Sequence, residues 1–123
     1  MSRVINPTEV AASLSDYWSP RIVAEVNESF VKVAKLKGEF PWHSHEHEDE
    51  MFMVLDGEMR IDLEDRSVQL KSGEVFVVPK GAMHHPVAKD ECLIMLFEPN
   101  STEHMGGIVH NNTRTISEQR LQQ

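Results

Sequence analysis

His43 and His45 stand two residues apart, and Glu50 follows five residues after the second, at the opposite strand parity. In extended backbone, side chains two residues apart share a face, so both imidazoles project to the same side. A carboxylate of opposite parity can join them only if the chain between reverses direction. The charged segment Glu46-His47-Glu48-Asp49 is therefore expected to be a turn or loop, with Glu50 to Leu55 a second strand brought back alongside the first. Two imidazoles and one carboxylate form a hard-to-borderline donor set that accepts zinc, iron, manganese, nickel or cobalt.

A fourth donor is available farther along. The run Gly73-Glu74-Val75-Phe76-Val77-Val78 ends in Pro79-Lys80-Gly81, and His84 opens the next strand, which is how a barrel strand delivers a side chain to a shared interior site. Together, His43-x-His45-(x4)-Glu50-(x6)-Gly57 and Gly73-(x5)-Pro79-x-Gly81-(x2)-His84 resemble the paired motifs of the cupin superfamily over most of residues 38–84. The chain is similar to the small single-domain bacterial cupins often labelled sugar-isomerase-like. That resemblance implies a double-stranded β-helix, an antiparallel barrel or jelly roll, with a divalent ion (Fe, Mn, Zn or Ni) held by His43, His45, Glu50 and His84. In two places the chain departs from the family pattern: Gly38 lies one residue closer to the histidines than usual, and Ala88 stands where an asparagine often ends the second motif.

The rest of the chain reads as short strands and turns behind one helix. Asn6-Pro7-Thr8-Glu9 carries a helix start, with a cap residue, proline at the first helical position and glutamate at the third. The helix should run to about Leu14. Tyr17-Trp18-Ser19-Pro20 reads as an irregular segment whose rings cover an open barrel edge. Arg21 to Val26 and Phe30 to Leu36 read as a hairpin. Asp56-Gly57 signals a second, tight hairpin. That turn would set Val54 opposite Met59, Phe52 opposite Ile61 and Glu50 opposite Leu63. Phe52, Val54, Met59 and Ile61 would then share a face with Glu50 and form an apolar substrate pocket. Ser67 to Leu70 and Val75 to Val78 follow as strands, and His84 to Ala88 with Cys92 to Phe97 as a last pair joined by Lys89-Asp90-Glu91. The expected layout is all-β and antiparallel in a single domain, 1–123: helix and arm at 1–20, barrel at 21–99, tail at 100–123.

Met51, Met53 and Leu55 fall on the opposite face and need a cover, for which a homodimer is expected; the resemblance implies the same. A formal charge of −8, with no basic run, argues against nucleic acid as a partner. Apolar runs reach about five residues against the roughly 20 that span a bilayer, so no membrane partner is expected. The single cysteine, Cys92, lies in an apolar run and suits a reducing, cytoplasmic setting.

Seven histidines cannot all be ligands. His47 falls in the acidic turn and should be solvated. His85 would point away from His84 and becomes a rival only if the strand phase shifts by one. His104 and His110 lie in the tail, open to a lid or extra-ligand role. Beyond the ligands, Tyr17, Glu98 and His104 are the acid–base candidates. Two functions follow: a metal-dependent enzyme (isomerase, lyase or dioxygenase) acting on a small organic molecule, or a non-catalytic binding or sensing domain whose metal anchors a ligand.

Overall fold

The computed structural model describes residues 3–102 and 116–120, so His104 and His110 lie outside the described residues. Helix α1 spans Pro7–Ser13. Its cap is Asn6, whose side chain accepts from the Glu9 backbone N–H at 3.1 Å, while Pro7 sits in the first turn, where no N–H is required. Seven strands follow: β1 (Arg21–Val26), β2 (Ser29–Glu39), β3 (Glu50–Asp56), β4 (Glu58–Leu63), β5 (Ser67–Lys71), β6 (Val75–Val78) and β7 (His84–Pro99); a short helix α2 covers Ile116–Gln119. Every strand pairing is antiparallel, with β1-β2-β7-β3-β6 in one path and β4 joined to β5 and β7. This is the all-β antiparallel fold with a short N-terminal helix that the sequence implies. No helix among the described residues is long and apolar enough to cross a membrane.

Three strand pairings differ from expectation. His43 and His45 lie outside the seven strands, His43 bridging only to His84, and β3 bonds to β6 and β7 rather than to the segment that carries the two histidines. Lys89-Asp90-Glu91 is not a turn but lies inside β7, a strand of 16 residues. The first part of β7 pairs with β4, from Leu63↔His84 to Arg60↔Val87, and its later part pairs with both β2 and β3. The three polar residues are exposed, and β2 slips register opposite them between Leu36 and Gly38. The ladder therefore bends there without breaking.

The Asp56-Gly57 hairpin does not form either. Strands β3 and β4 are consecutive yet bond to different stretches of β7, β3 to residues Leu93–Phe97 and β4 to His84–Val87. Gly57 makes the corner: its φ is +94°, and a Cβ there would stand 3.0 Å from the Glu91 carbonyl oxygen and 3.3 Å from the Cys92 Cα. Aspartate-glycine marks a positive-φ step, and a crossing corner requires that as much as a hairpin does.

The strand pairing differs, but the expected parity holds. Phe52, Val54, Met59 and Ile61 are all buried in the main core, together with Leu36, Phe40, Val78, Ile94 and Leu96. On the outer face, Leu55 packs with Val10, Ala11, Leu14, Val33 and Leu93 beneath α1, so the chain itself covers that residue. Met51 and Met53 remain half-exposed beside Val77 and Val75, their partners on the edge strand β6.

Candidate metal centre

Three backbone ties bring the two motifs together. His43 and His84 exchange backbone hydrogen bonds at 3.1 and 2.9 Å, the Gly81 N–H donates to the His45 carbonyl at 2.8 Å, and the Lys80 N–H donates to Asp49 Oδ1 at 2.8 Å. The Pro79-Lys80-Gly81 turn thus clasps the acidic loop and holds His45 in place. Glu50 opens β3 opposite Val78, and His84 opens β7 opposite Leu63. All four side chains are buried, and one donor atom from each lies within 4.8 Å of the others.

The histidines are oriented from behind. His43 Nδ1 lies 2.9 Å from the Pro41 carbonyl oxygen and His84 Nδ1 lies 3.0 Å from that of Ala82. A carbonyl can only accept, so each Nδ1 carries the proton and each Nε2 keeps a lone pair turned inward. His45 Nε2 and His84 Nε2 stand 3.4 and 3.5 Å from the same oxygen, Oε1 of Glu50. Neither nitrogen has a hydrogen-bond partner among the described residues, nor does His45 Nδ1. Buried nitrogens without a partner are costly unless something else meets them. Bonds of about 2.0–2.2 Å to one ion would put neighbouring donors about 3–3.6 Å apart, so the residues fit a metal.

Electrostatics favour the same protonation states. Burial, reinforced by the neighbouring His84, lowers the His43 pKa to about 4, so the imidazole is neutral at pH 7. Burial alone would raise Glu50, but the surrounding His45, His84 and Glu98 side chains hold it well below the usual carboxylate range. A ligand set must be deprotonated to bind a cation, and the shifts of His43 and Glu50 both run in that direction.

Beside the donors lies a small cavity of about 40 Å³, lined by His43 and Glu50 and by Trp18, Leu36, Phe40, Phe52, Ile94 and Leu96 among others. Trp18 stacks on Phe40 with centroids 5.0 Å apart, and Phe40 meets His43 edge-on at 5.4 Å. Trp18 holds a positive φ of 58°, fixed by its backbone N–H donating to the Lys35 carbonyl and its indole N–H to the Lys37 carbonyl. Of the four expected pocket residues only Phe52 reaches this wall. Val54, Met59 and Ile61 pack within the core instead, because β4 runs against β7 rather than against β3.

The remaining candidates separate cleanly. His85 points away from the donors: Nδ1 lies 2.9 Å from Asp62 Oδ2, Nε2 3.0 Å from Glu39 Oε1, and its ring stacks on Trp42. His47 is exposed beside Glu46. The Tyr17 hydroxyl, proposed as an acid–base group, is committed elsewhere, donating to Glu91 Oε1 at 3.1 Å. Glu98 is buried on β7 and pairs at 2.8 Å with Lys32, which the sequence reading passed over although it shares the parity of the inward residues Phe30, Ala34 and Leu36.

Comparison with known proteins agrees with this architecture. Residues 29–101 match the Cupin_2 family model, a cupin domain. An uncharacterized protein, YdbB, of Bacillus subtilis is 35% identical over 68% of this chain and 75% of its own length. The crystal structure of a cupin-2 domain protein from Shewanella frigidimarina superposes with a TM-score of 0.75 at 44% identity, covering 78% of this chain and 94% of that one. Protein NMB1881 from Neisseria meningitidis superposes with a TM-score of 0.72 at 31% identity, covering 79% and 99%.

Proposed function

The chain belongs to the cupin family, and on that premise we propose that His43, His45, Glu50 and His84 hold one divalent metal ion to which the adjoining cavity presents a small organic molecule. One observation carries this reading: four buried donors converge, and two of them, His43 and Glu50, line the adjoining apolar cavity. A divalent ion bound there would supply Lewis acidity toward an oxygen of the ligand, and iron would add redox chemistry. The protein's part is to orient and to exclude water. The Pro41 and Ala82 carbonyls fix the imidazoles, while Trp18, Phe40, Phe52 and Leu96 shelter the ligand body. No cationic side chain lines the cavity, so a phenol, enediol or small carboxylate suits it better than a phosphorylated compound.

We read the protein as a metal-dependent enzyme of the isomerase, lyase or dioxygenase kind. The alternative, a binding or sensing domain without turnover, draws support from the same wall, which offers no titratable group besides His43 and Glu50. Metal analysis of untagged protein, then calorimetry and turnover assays with phenols, keto acids and sugars, separates the two. Metal-dependent product formation supports the enzyme, and saturable binding without product supports the sensor. Protein that takes up no divalent metal from a loading series sinks both. In the same reading the protein is a cytoplasmic homodimer. The buried Cys92 thiol agrees with the compartment, and the half-exposed Met51 and Met53 beside Val75 and Val77 form the dimer face.

A further inference from the structure

The cavity beside the donors holds about 40 Å³, room for roughly three waters at about 10–15 Å³ each, whereas a cavity of about 150 Å³ is what takes up benzene. A ring-sized ligand therefore meets the metal only if part of the wall moves. Most of that wall is fixed in paired strands: Ala34 and Leu36 on β2, Phe52 on β3, Ile94 and Leu96 on β7. Trp18 is different. It lies on the strap between α1 and β1, outside the seven strands, and closes the wall by stacking on Phe40, which in turn meets His43 edge-on. Its backbone stands at φ +58°, a left-handed conformation that a bulky residue adopts only under constraint. The Trp18 backbone N–H donates to the Lys35 carbonyl at 2.9 Å and the indole N–H to the Lys37 carbonyl at 2.8 Å. Both ends of the strap are anchored separately. The Leu14 N–H donates to the Ala11 carbonyl at the end of α1, and the Arg21 guanidinium donates to the Ser19 and Pro20 carbonyls. Releasing Trp18 thus breaks its bonds to β2 and relieves a strained φ while the anchors stay in place.

We infer that Trp18 is the gate and size-determining residue of the cavity: a ring-sized ligand reaches the metal when Tyr17 and Trp18 lift from β2 and carry the indole off Phe40. The inference rests on the proposed reading of this cavity as the ligand site of a metal centre. Strained residues persist where their surroundings over-determine them, and they concentrate at ligand clamps and switch segments. Relief of the strained φ offsets part of the lost hydrogen bonding, so opening costs less than those bonds alone would set. A ligand of a few heavy atoms fits beside the closed indole, and a ring does not. Trp18 therefore selects by size before any chemistry at the metal, and in its closed position it keeps bulk water from His43 and Glu50.

The test loads the protein with Co2+ and follows its visible spectrum with two probes that coordinate a metal ion, linear azide and the ring of imidazole. Azide should bind with the strap closed, imidazole only with it open. Tyr17 and Lys35 bridge the strap to β2, so Tyr17→Cys with Lys35→Cys sets a disulfide across it, while Cys92 stays buried. The oxidised double variant should bind azide like the parent and lose imidazole, and reduction should restore it. Trp18→Gly takes φ +58° without strain and removes the indole. Imidazole affinity should then rise by at least about tenfold, the factor expected when the parent's open state is populated at about 10% or less. In Zn2+-loaded Trp42→Phe protein Trp18 is the remaining tryptophan, and its emission should move to the red as imidazole binds. Should Trp18→Gly not fold, the disulfide and the emission, both of which keep the indole, decide. Parent-like imidazole affinity in the oxidised double variant or in Trp18→Gly overturns the inference. So does a parent that takes azide but refuses imidazole, or imidazole binding that leaves the Trp18 emission unmoved. Bound Co2+ that answers neither probe overturns instead the ligand-site reading, and protein that takes up no Co2+ overturns the metal site itself.

Discussion

Each Nδ1–H of His43 and His84 is taken by a backbone carbonyl, which leaves Nε2 no role but acceptor. Removing one such donor from the cluster should therefore be felt in metal affinity. His84→Ala and Glu50→Gln are each expected to lower it by at least about tenfold. By contrast, His85→Ala and His47→Ala should leave it unchanged, since the first faces Asp62 and Glu39 and the second faces solvent. Equilibrium dialysis of the four variants reads this directly, and loss of metal in His85→Ala would show that the assigned strand phase is out by one. A second residue-scale prediction concerns Cys92. Burial, with Asp56 and Glu58 adding repulsion, raises the thiol pKa from 9.0 to about 12. Its folded pKa being the higher, its contribution is intact below pH 9 and lost as pH rises toward 12. Between those limits the unfolded thiol ionises first, and stability should fall by about 1.4 kcal/mol per pH unit on account of this group. Denaturant titrations of the parent and Cys92→Ala at pH 8 and pH 10 isolate the effect. Equal slopes with pH in the two proteins would refute it.

At the scale of elements, β7 organises the fold, since β2, β3 and β4 all bond to it and its inward positions His84, Pro86, Ile94, Leu96 and Glu98 run from the donor cluster through the cavity wall to the ion pair. Gly57 is the corner that lets β3 and β4 share this strand. Gly57→Ala forces a Cβ into φ +94° and against β7 backbone at 3.0 Å, neither of which a side-chain rotation relieves. The conformation alone costs on the order of 1–3 kcal/mol, and the backbone clash adds to it. Gly38→Ala carries similar strain at φ +88° but meets nothing within 4 Å, so it should be the milder of the two. Urea midpoints rank them, and an equal loss in both would show that the approach to Glu91 and Cys92 is unimportant.

For the molecule as a whole, the open question is what covers the outer face of β3 and β6. Helix α1 shields Leu55, which leaves Met51, Met53, Val75 and Val77 to the proposed homodimer. Full cover of a methionine is worth about 1.5–3 kcal/mol, so a shared face built from several such residues can hold two copies together. Met51→Lys combined with Met53→Lys should convert a dimer to a monomer in sedimentation while metal content stays at the parent level. A parent protein that sediments as a monomer removes the dimer from the reading.

Spacing along the chain was enough to determine side-chain direction. The two-residue step from His43 to His45, the reversal before Glu50 and the Pro79–Gly81 turn before His84 each fix a face, because strand parity is a local property of extended backbone. The burial of Phe52, Val54, Met59 and Ile61 was legible for the same reason, and the helix cap at Asn6 because capping joins residues three apart in sequence. Which strand lies beside which was not. A positive-φ glycine after aspartate serves a hairpin and a crossing corner alike, and three exposed polar residues serve a turn and the bend of a long strand alike. Only the competition for β7 decides between them, and that competition joins residues far apart in sequence. The cavity wall of Trp18 and Phe40, and the ion pair of Lys32 with Glu98 across two strands, are consequences of that pairing.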